Sequence, residues 1–487
     1  MTEPHDSTET ARVSEVLARL GPRLDEFWRF EAEDRSVRDR AAWLPTFDRT
    51  LPAEGAGLDA VLAELDLAIR NGSRIADPGF SGFITTGATT AGIASAVAAA
   101  AAGAQRYTLH AFNALEWIGL RWLAEACGLP EEWEGVFSSG GSVANLIALG
   151  AARQATFEKR GVDVAHDGLP TGVVTRIYAS TEAHRTIHRS AAVLGLGQNA
   201  VRELPTDARQ RIDVHALDAA LAEDIAAGVV PLAVVAIAGT TNTGAIDPID
   251  DVLEVVRRHG AWLHVDGAYG LPAYVDPDVR PRLAGVAEAD SAIVDPHKWL
   301  ATGVGVAATY VRSPGVLVRA FAEGEAAYLE GSFSDDMDDA VSQFEEMGGQ
   351  WADMSLELSA PPRGVHVWAV LREIGLDGLR ARVSEHRTFA RHLAATADEH
   401  PRLESLTDPE LSVACIRYRP TRPVDDLDGL TTRLLRRLRR ETPYAPSSTV
   451  VDGVLAIRPC YINPRTRIEH VDGLAEALVR LGDDETS

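Results

Sequence analysis

The sequence predicts an α/β protein built around a mostly parallel sheet, on three observations. Between about residues 91 and 310, short runs rich in Val and Ile alternate with helical stretches, the pattern of strands joined by helical crossovers. Polar residues directly follow several of these runs, as expected where ligands bind beyond the carboxyl ends of parallel strands. The 487 residues, 46% of them apolar, are enough for a large core and two or three domains.

The elements can be read along the chain in order. The predicted strands of the sheet are "TRIYAS", "LAVVAIAG", "AWLHVDG" and "SAIVDP", and helical periodicity marks "PIDDVLEVVRRHG" between two of them. A long helix is predicted at "GVHVWAVLREIG", followed by strands at "LSVACIRYR" and "GVLAIRPCYI". We therefore expect an N-terminal helical segment (1–79), a large domain (80–364) and a smaller α+β domain (365–487).

Charge and composition narrow the class of protein. The net charge of −24 argues against nucleic acid and anionic membranes as partners. The three cysteines lie far apart and indicate neither disulfides nor a thiolate metal site. The first ten residues are polar and acidic, unlike a signal peptide, and the apolar stretch 91–105 is too short to span a bilayer. We expect a cytoplasmic protein, with 91–105 forming a buried or interface helix.

The first candidate site is a glycine loop in "VFSSGGSVANLIALGAAR". Here an apolar run gives way to Gly140, Gly141 and Ser142 and then to a helical stretch. Glycines let the backbone approach an anion, and the N-terminus of a helix presents free N–H groups and the positive end of its dipole. The segment fits a phosphate site, but it equally fits a capped helix after a turn.

Three further candidates end predicted strands. Thr241, Asp266 and Lys298 are spaced by 25 and 32 residues, each about one strand–helix–strand unit, which predicts that they lie on neighbouring strand ends. Taken alone, Thr241 also fits an ordinary turn, and Asp266 fits a helix cap or, with His264, part of a metal site. Two ligands without a convincing third do not make a metal centre, and we predict none.

Together these residues suggest one cofactor. A lysine that must lose its proton needs a desolvated setting, and Lys298 lies between His297 and Trp299. A carboxylate such as Asp266 costs free energy to bury unless a positive group meets it, as a protonated ring nitrogen would. A phosphate cradle, a carboxylate and a desolvated amine are the parts that bind pyridoxal 5′-phosphate (PLP) as a Schiff base.

Six motifs then show a family resemblance over roughly residues 75–470. They are "SSGGSVANLIAL", "EAHRTIHRSAAVLGLG", "AGTTNTGAIDPI", "WLHVDGAYG", "DPHKWL" and "LAIRPCYINPRT". In their order and spacing the chain resembles the group II PLP-dependent amino-acid decarboxylases, the family of the aromatic-L-amino-acid and glutamate decarboxylases. The resemblance implies an aspartate-aminotransferase-like fold (fold type I) with a seven-stranded sheet, and a homodimer with active sites at the interface, residues 1–79 packing on the partner.

The resemblance also assigns roles. Lys298 matches the Schiff-base lysine and His184 the histidine stacked on the ring, and we take both as catalytic. Lys298 and His184 also belong to the predicted cofactor-binding residues. The others are the phosphate site (Gly140, Gly141, Ser142 and Thr241), the residues that contact the ring (Asp266 and Ala268), and His297 beside the lysine. Relatives often have asparagine where Asp295 stands, and an acid beside a phosphate adds like charge; we expect Asp295 to support the site. Without the resemblance, His184 would fit the start of a helix equally well.

One region departs from the family pattern. Family decarboxylases carry a tyrosine on a loop before the helix at "GVHVWAVL", thought to protonate Cα, and relatives with phenylalanine there make aldehydes. Our alignment puts Trp351 near that position, and an indole N–H is a very poor acid. Either another group, His184 or water, supplies the proton, or the chemistry differs. We predict a carboxy-lyase that releases CO2 and an amine. The alternatives are an aldehyde synthase of the same family and a catalytically silent protein of the same fold.

The substrate prediction rests on apolar and aromatic residues. Phe83, Thr85, Tyr107 and Trp351 are the candidate substrate contacts, some of them across the dimer interface. Apart from Arg106, no arginine is evident to hold a side-chain carboxylate. We expect an aromatic or large apolar L-amino acid.

Overall fold

A computed structural model describes residues 12–30, 47, 51, 53–106, 111–322 and 351–487. The α-helices are α1 (Val13–Phe27), α2 (Gly57–Arg70), α3 (Thr90–Ala101), α4 (Ala111–Ala126), α5 (Gly141–Glu158), α6 (Thr186–Val193), α7 (Val214–Ala226), α8 (Ile249–His259), α9 (Arg280–Leu283), α10 (Val316–Phe321), α11 (Gly364–Glu399), α12 (Leu427–Glu441) and α13 (Ile468–Thr486). None of them is long and apolar enough to cross a membrane.

The strands form two sheets. They are β1 (Phe80–Ser81), β2 (Glu134–Ser138), β3 (Thr175–Ser180), β4 (Val201–Leu204), β5 (Val230–Ile237), β6 (Trp262–Asp266), β7 (Ser291–Val294), β8 (Ala307–Val311), β9 (Leu403–Ser405), β10 (Ile416–Tyr418), β11 (Ala445–Val451) and β12 (Val454–Arg458). The larger sheet has seven strands in the order β2-β8-β7-β6-β5-β3-β4. Only β8 runs antiparallel to its neighbours, so the predicted mostly parallel seven-stranded sheet is confirmed.

The central strands are buried on both faces because helices cover the sheet. All eight residues of β5 and all five of β6 are buried, which explains why they read as continuous apolar runs. Helix α8 shows how a crossover is built. It buries Val252 and Val256 on one face and ends at Gly260, which takes the left-handed conformation (φ 69°) that favours glycine.

The register of the central strands brings the predicted residues to one edge. Ile237, the last residue of β5, is paired with Asp266 at the end of β6, and Asp266 is paired with Ile293 of β7. Thr241 and Lys298 follow these strands within a few residues. The predicted neighbouring strand ends are therefore adjacent.

The smaller sheet has the order β1-β11-β12-β10-β9. Its first strand comes from far upstream in the chain, since Phe80 pairs with Ala445. This pairing brings the segment after Phe80 to the same side of the molecule as the C-terminal sheet. The domain boundaries at residues 79 and 364 remain a prediction.

Candidate active site

One cavity of about 330 Å³ lies at the carboxyl edge of the larger sheet. It contains every residue predicted to bind the cofactor: Gly140, Gly141, Ser142, His184, Thr241, Asp266, Ala268, His297 and Lys298. Cavities of this size at the carboxyl ends of parallel strands are common ligand sites. Residues from five separate segments are thus brought together as the sequence predicted.

Lys298 lies on a tight turn after β7. Its Nζ is 3.0 Å from Asp295 Oδ2, and its side chain is only 20% exposed. The next residue, Trp299, fixes the turn in place. Its side chain is fully buried and stacks on Tyr269, with the ring centroids 5.2 Å apart. Its Nε1–H donates a hydrogen bond to His386 Nδ1 at 3.0 Å. The tryptophan beside the lysine is therefore an anchor that aims the amine into the cavity.

The glycine loop presents the start of α5 to the same cavity. Gly140 takes φ 144°, a conformation that disfavours other residues, and no side chain in the described part of the protein caps the helix. A Cβ on Gly141 would lie 2.6 Å from Asp295 Oδ2, so any larger residue there would displace the Asp295 carboxylate. Uncapped N–H groups at a helix N-terminus fit a phosphate group.

Asp266 and Ala268 form the floor of the cavity. The backbone N–H of Ala268 donates to Asp266 Oδ1 at 3.2 Å, and Asp295 N–H donates to the Ala268 carbonyl at 3.1 Å. These bonds tie the end of β6 to the lysine turn. The small side chain of Ala268 would leave room for a flat ring, and the Asp266 carboxylate would accept a hydrogen bond from a protonated ring nitrogen.

His184 lies on the other side of the cavity, just before α6. Its Nδ1 is 2.9 Å from Thr186 Oγ1 and also accepts from the Thr186 backbone N–H at 3.3 Å. Because Nδ1 is an acceptor, the neutral ring carries its proton on Nε2. Partial burial lowers the pKa of His184, although Asp266 opposes this, so the neutral form is favoured at neutral pH.

The remaining residues predicted to bind the cofactor, His297 and Thr241, form the sides of the cavity. His297 donates Nδ1–H to the Val306 carbonyl at 2.7 Å, and its Nε2 faces Asp295 Oδ2 at 3.8 Å. Thr241 lines the cavity, whereas the hydroxyl of its neighbour Thr240 is turned inward to Thr243 at 2.9 Å. Only the second threonine of the pair is therefore available to a ligand.

Sequence reasoning missed several polar residues that also line the cavity, among them Asn145, Glu182 and Thr186. Asn145 lies one turn after Ser142 on α5, and the helical spacing from the glycine loop is a signal that could have found it. Glu182 accepts from Asn242 Nδ2 at 2.9 Å, and burial raises its pKa. His264, considered as a metal ligand with Asp266, is instead hydrogen-bonded to Asn145 and Ser291.

The candidate substrate contacts have different positions. Phe83 is 66% exposed with φ 56°, and its carbonyl accepts from Arg458, which also donates to the Thr241 carbonyl. The segment containing Phe83 and Thr85 thus borders the cavity without lining it. Trp351 is 2% exposed in a core cluster, and Tyr107 lies outside the described residues, as does the loop up to residue 350.

Arg106 is unavailable as a clamp for a substrate carboxylate. It is 1% exposed, donates to the Phe137 carbonyl at 2.7 Å and to Ser355 Oγ at 3.1 Å, and lies 3.5 Å from Glu116. Burial raises the pKa of Glu116, and Arg106 opposes that shift. This pair belongs to the core.

Comparison with known proteins agrees with the site. Residues 42–419 match the family described as the pyridoxal-dependent decarboxylase conserved domain. The chain belongs to this family. An aromatic-L-amino-acid decarboxylase of Bacillus atrophaeus is 30% identical over 374 residues, 76% of this chain and 72% of the relative. An acidic amino acid decarboxylase of Xenopus tropicalis is 29% identical over 367 residues, 73% of this chain and 69% of the relative.

The fold is confirmed by a solved structure. The Oryza sativa protein TDC, crystallised with PLP and tryptamine, has a TM-score of 0.88 and 25% identity, covering 98% of this chain and 100% of the other. The fold is therefore fold type I, as predicted. This pyridoxal-dependent decarboxylase is a carboxy-lyase that acts on amino acids with PLP as its cofactor.

Proposed function

We propose that the enzyme decarboxylates an aromatic or large apolar L-amino acid, with Lys298 as the residue that binds the cofactor. The observation that carries the proposal is the cavity in which the lysine amine, the Asp266 carboxylate and the uncapped start of α5 converge. PLP, when bound, supplies an electron sink for the bond to the carboxyl group.

Different residues of this chain would bind different parts of the cofactor and the substrate. The N–H groups at Gly141 and Ser142 would hold the phosphate, with the Thr241 hydroxyl beside them. Asp266 would accept a hydrogen bond from the ring nitrogen and so keep that nitrogen protonated. His184, neutral with its proton on Nε2, would lie against the ring and donate to the substrate carboxylate.

The charges around the cavity favour a substrate without an acidic side chain. The described residues that line the cavity include no arginine, while Glu182 adds a carboxyl group. Arg106 is bound in the core. Phe83, exposed beside the cavity, offers an apolar surface. One relative is named for aromatic and one for acidic amino acids, and this charge distribution favours the aromatic class.

We also propose a cytoplasmic homodimer in which Phe83, Thr85 and Tyr107 contact substrate bound near the subunit interface. Helix α3 supports an interface because it exposes the alanines at 94, 96, 98 and 100, apolar side chains that another chain could cover. Light scattering coupled to gel filtration tests the assembly: twice the 52.2 kDa chain mass is expected, and a monomer would contradict it.

An amino-acid panel tests the proposed function. The purified protein with added PLP is given aromatic, large apolar, basic and acidic L-amino acids, and CO2, amine and hydrogen peroxide are measured together. We expect CO2 and amine in equal amounts from an aromatic or large apolar substrate, without peroxide. Turnover of acidic amino acids alone would contradict the substrate class. Peroxide with ammonia would indicate an aldehyde synthase, which the buried position of Trp351 does not favour.

A further inference from the structure

Asn145 is the point where hydrogen bonds from both sides of the cavity meet. Its Nδ2 donates to Asp266 Oδ2 at 3.1 Å and to Thr186 Oγ1 at 3.3 Å. Its Oδ1 is 2.8 Å from His264 Nε2. The side chain is 2% exposed, so all of its polar atoms are satisfied by protein.

The direction of each bond follows from the partners. The carboxylate of Asp266 can only accept when ionised, so the amide nitrogen must face it and the amide oxygen must face His264. His264 therefore donates from Nε2. Burial lowers the pKa of His264 to about 4, so the ring is neutral and its Nδ1 is an acceptor.

The residues behind His264 agree with this direction. Trp262 Nε1, which can only donate, is 2.8 Å from Ser291 Oγ. The serine hydroxyl is then free to donate to His264 Nδ1, 2.9 Å away. Starting from the indole, each donor points towards Asn145, and nothing in the chain can reverse without losing a bond.

The second amide hydrogen continues the chain to the opposite side of the cavity. Thr186 Oγ1 accepts from Asn145 and so turns its own hydrogen towards His184 Nδ1, 2.9 Å away. One amide thereby orients both Asp266, on the floor of the cavity, and His184, on the other side.

We propose that Asn145 is a positioning residue that fixes Asp266 as an acceptor and His184 as an Nε2–H donor towards the cavity, with His264 setting the orientation of its amide. The inference rests on the proposed roles of Asp266 and His184. A fully buried polar chain costs free energy that apolar packing would avoid, which argues that the arrangement serves the site.

The test uses two substitutions of Asn145 with different polarity. Asn145→Leu keeps the approximate shape and removes the amide. Asn145→Asp puts a carboxyl group beside Asp266. Gln154→Ala is the matched control, because Gln154 is a buried amide on the same helix, 1% exposed, that hydrogen-bonds Glu158 and Asp163 away from the cavity. The PLP dissociation constant and the visible absorbance band are measured from pH 5 to 8, with the melting temperature of each cofactor-free variant.

We expect the PLP affinities of the two Asn145 variants to depend differently on pH. Relative to the unsubstituted protein, Asn145→Leu should weaken PLP binding about ten-fold at every pH, the loss of a hydrogen bond to a charged group. Asn145→Asp should weaken it more at pH 8, where two carboxylates repel, and recover as pH falls and the new carboxyl group can donate. The charged or titratable groups that face this position are Asp266, His264 and, through Thr186, His184, with Lys298 and Asp295 across the cavity.

Three outcomes would overturn the inference. The first is a loss of PLP affinity no larger than that of Gln154→Ala, and the second is an unchanged absorbance band. The third is an equal, pH-independent loss of PLP affinity in both Asn145 variants, which would indicate that Asn145 contributes packing alone. If Asn145→Leu does not fold, His264→Gln and His264→Leu replace it. The glutamine can still donate to Asn145 and should bind PLP within about two-fold of the unsubstituted protein, whereas the leucine should not. Asp266→Asn separates the hypotheses: if it too leaves PLP binding and the band unchanged, the proposed role of Asp266 fails first.

Discussion

Lys298 Nζ lies 3.0 Å from Asp295 Oδ2, and the same carboxylate oxygen is 2.6 Å from the point where a Cβ on Gly141 would lie. One buried acid therefore contacts both the amine that would bind the cofactor and the loop that would bind its phosphate. Among the residues that the structure describes, none forms a hydrogen bond with its Oδ1. Asp295 is the ion-pair partner of the lysine and adds negative charge next to the phosphate site.

Asp295→Asn should therefore bind PLP more tightly. The substitution removes like charge from the phosphate site and removes the ion-pair partner that the Lys298 amine must leave to bond the cofactor, so both effects act in the same direction. We expect the dissociation constant to fall about ten-fold, measured by equilibrium dialysis at pH 7.5. Asp218→Asn, on the surface beside His259, is the control. Unchanged or weaker binding would show that Asp295 does not oppose the phosphate.

The pH dependence of turnover should report His184. Burial lowers its pKa, so protonation should reduce kcat/KM only below the ordinary imidazole pKa of about 6.5. His184→Gln retains an N–H donor and cannot titrate in this range. The kcat/KM of this variant should therefore not fall at low pH in the way that it does for the unsubstituted protein. If the same fall remains in His184→Gln, another group is responsible for the titration.

His264 should make the protein less stable in acid. Its folded-state pKa of about 4 lies below the ordinary value of 6.5, so the unfolded chain binds the proton more readily. The stability that neutral His264 contributes is complete above about pH 6.5 and is lost as the pH falls towards 4. The melting temperature of His264→Gln should vary less with pH across this window. His386, with its pKa lowered by burial to about 3, should account for part of the remaining slope.

Trp351 should affect stability and leave the products unchanged. It is buried in the cluster with Val136 and Met354 and does not line the cavity. Trp351→Ala should lower the free energy of unfolding by about 3–5 kcal/mol, and Trp351→Phe by less. The ratio of amine to CO2 in Trp351→Phe should equal that of the unsubstituted protein. A shift of the phenylalanine variant towards peroxide and ammonia would place Trp351 in the reaction after all.

Much of the site could be predicted because strand ends converge. The boundaries of β3 coincide with "TRIYAS", since a buried strand between helices is marked by its apolar residues. Thr241, Asp266 and Lys298 were predicted together because parallel neighbouring strands bring their carboxyl ends to one edge.

Contacts between distant segments could not be predicted in this way. The pairing of Phe80 with Ala445 depends on how the whole chain packs. The direction of the Trp351 side chain, in a segment without periodicity, is set by the core it enters. Asn145 and His264 read as helix and strand residues, and only the tertiary structure brings them within 2.8 Å.

The central claim, that Lys298 binds the cofactor, has a direct test because the chain has only two lysines, Lys159 and Lys298. Lys159 is exposed at the end of α5, outside the cavity. The purified protein is loaded with PLP, reduced with borohydride, digested and mapped by mass spectrometry. The structure predicts a phosphopyridoxyl group on the peptide containing "DPHKWL", and its loss, with the visible absorbance, in Lys298→Ala. Modification of Lys159 instead, or none at either lysine in an active preparation, would contradict the account.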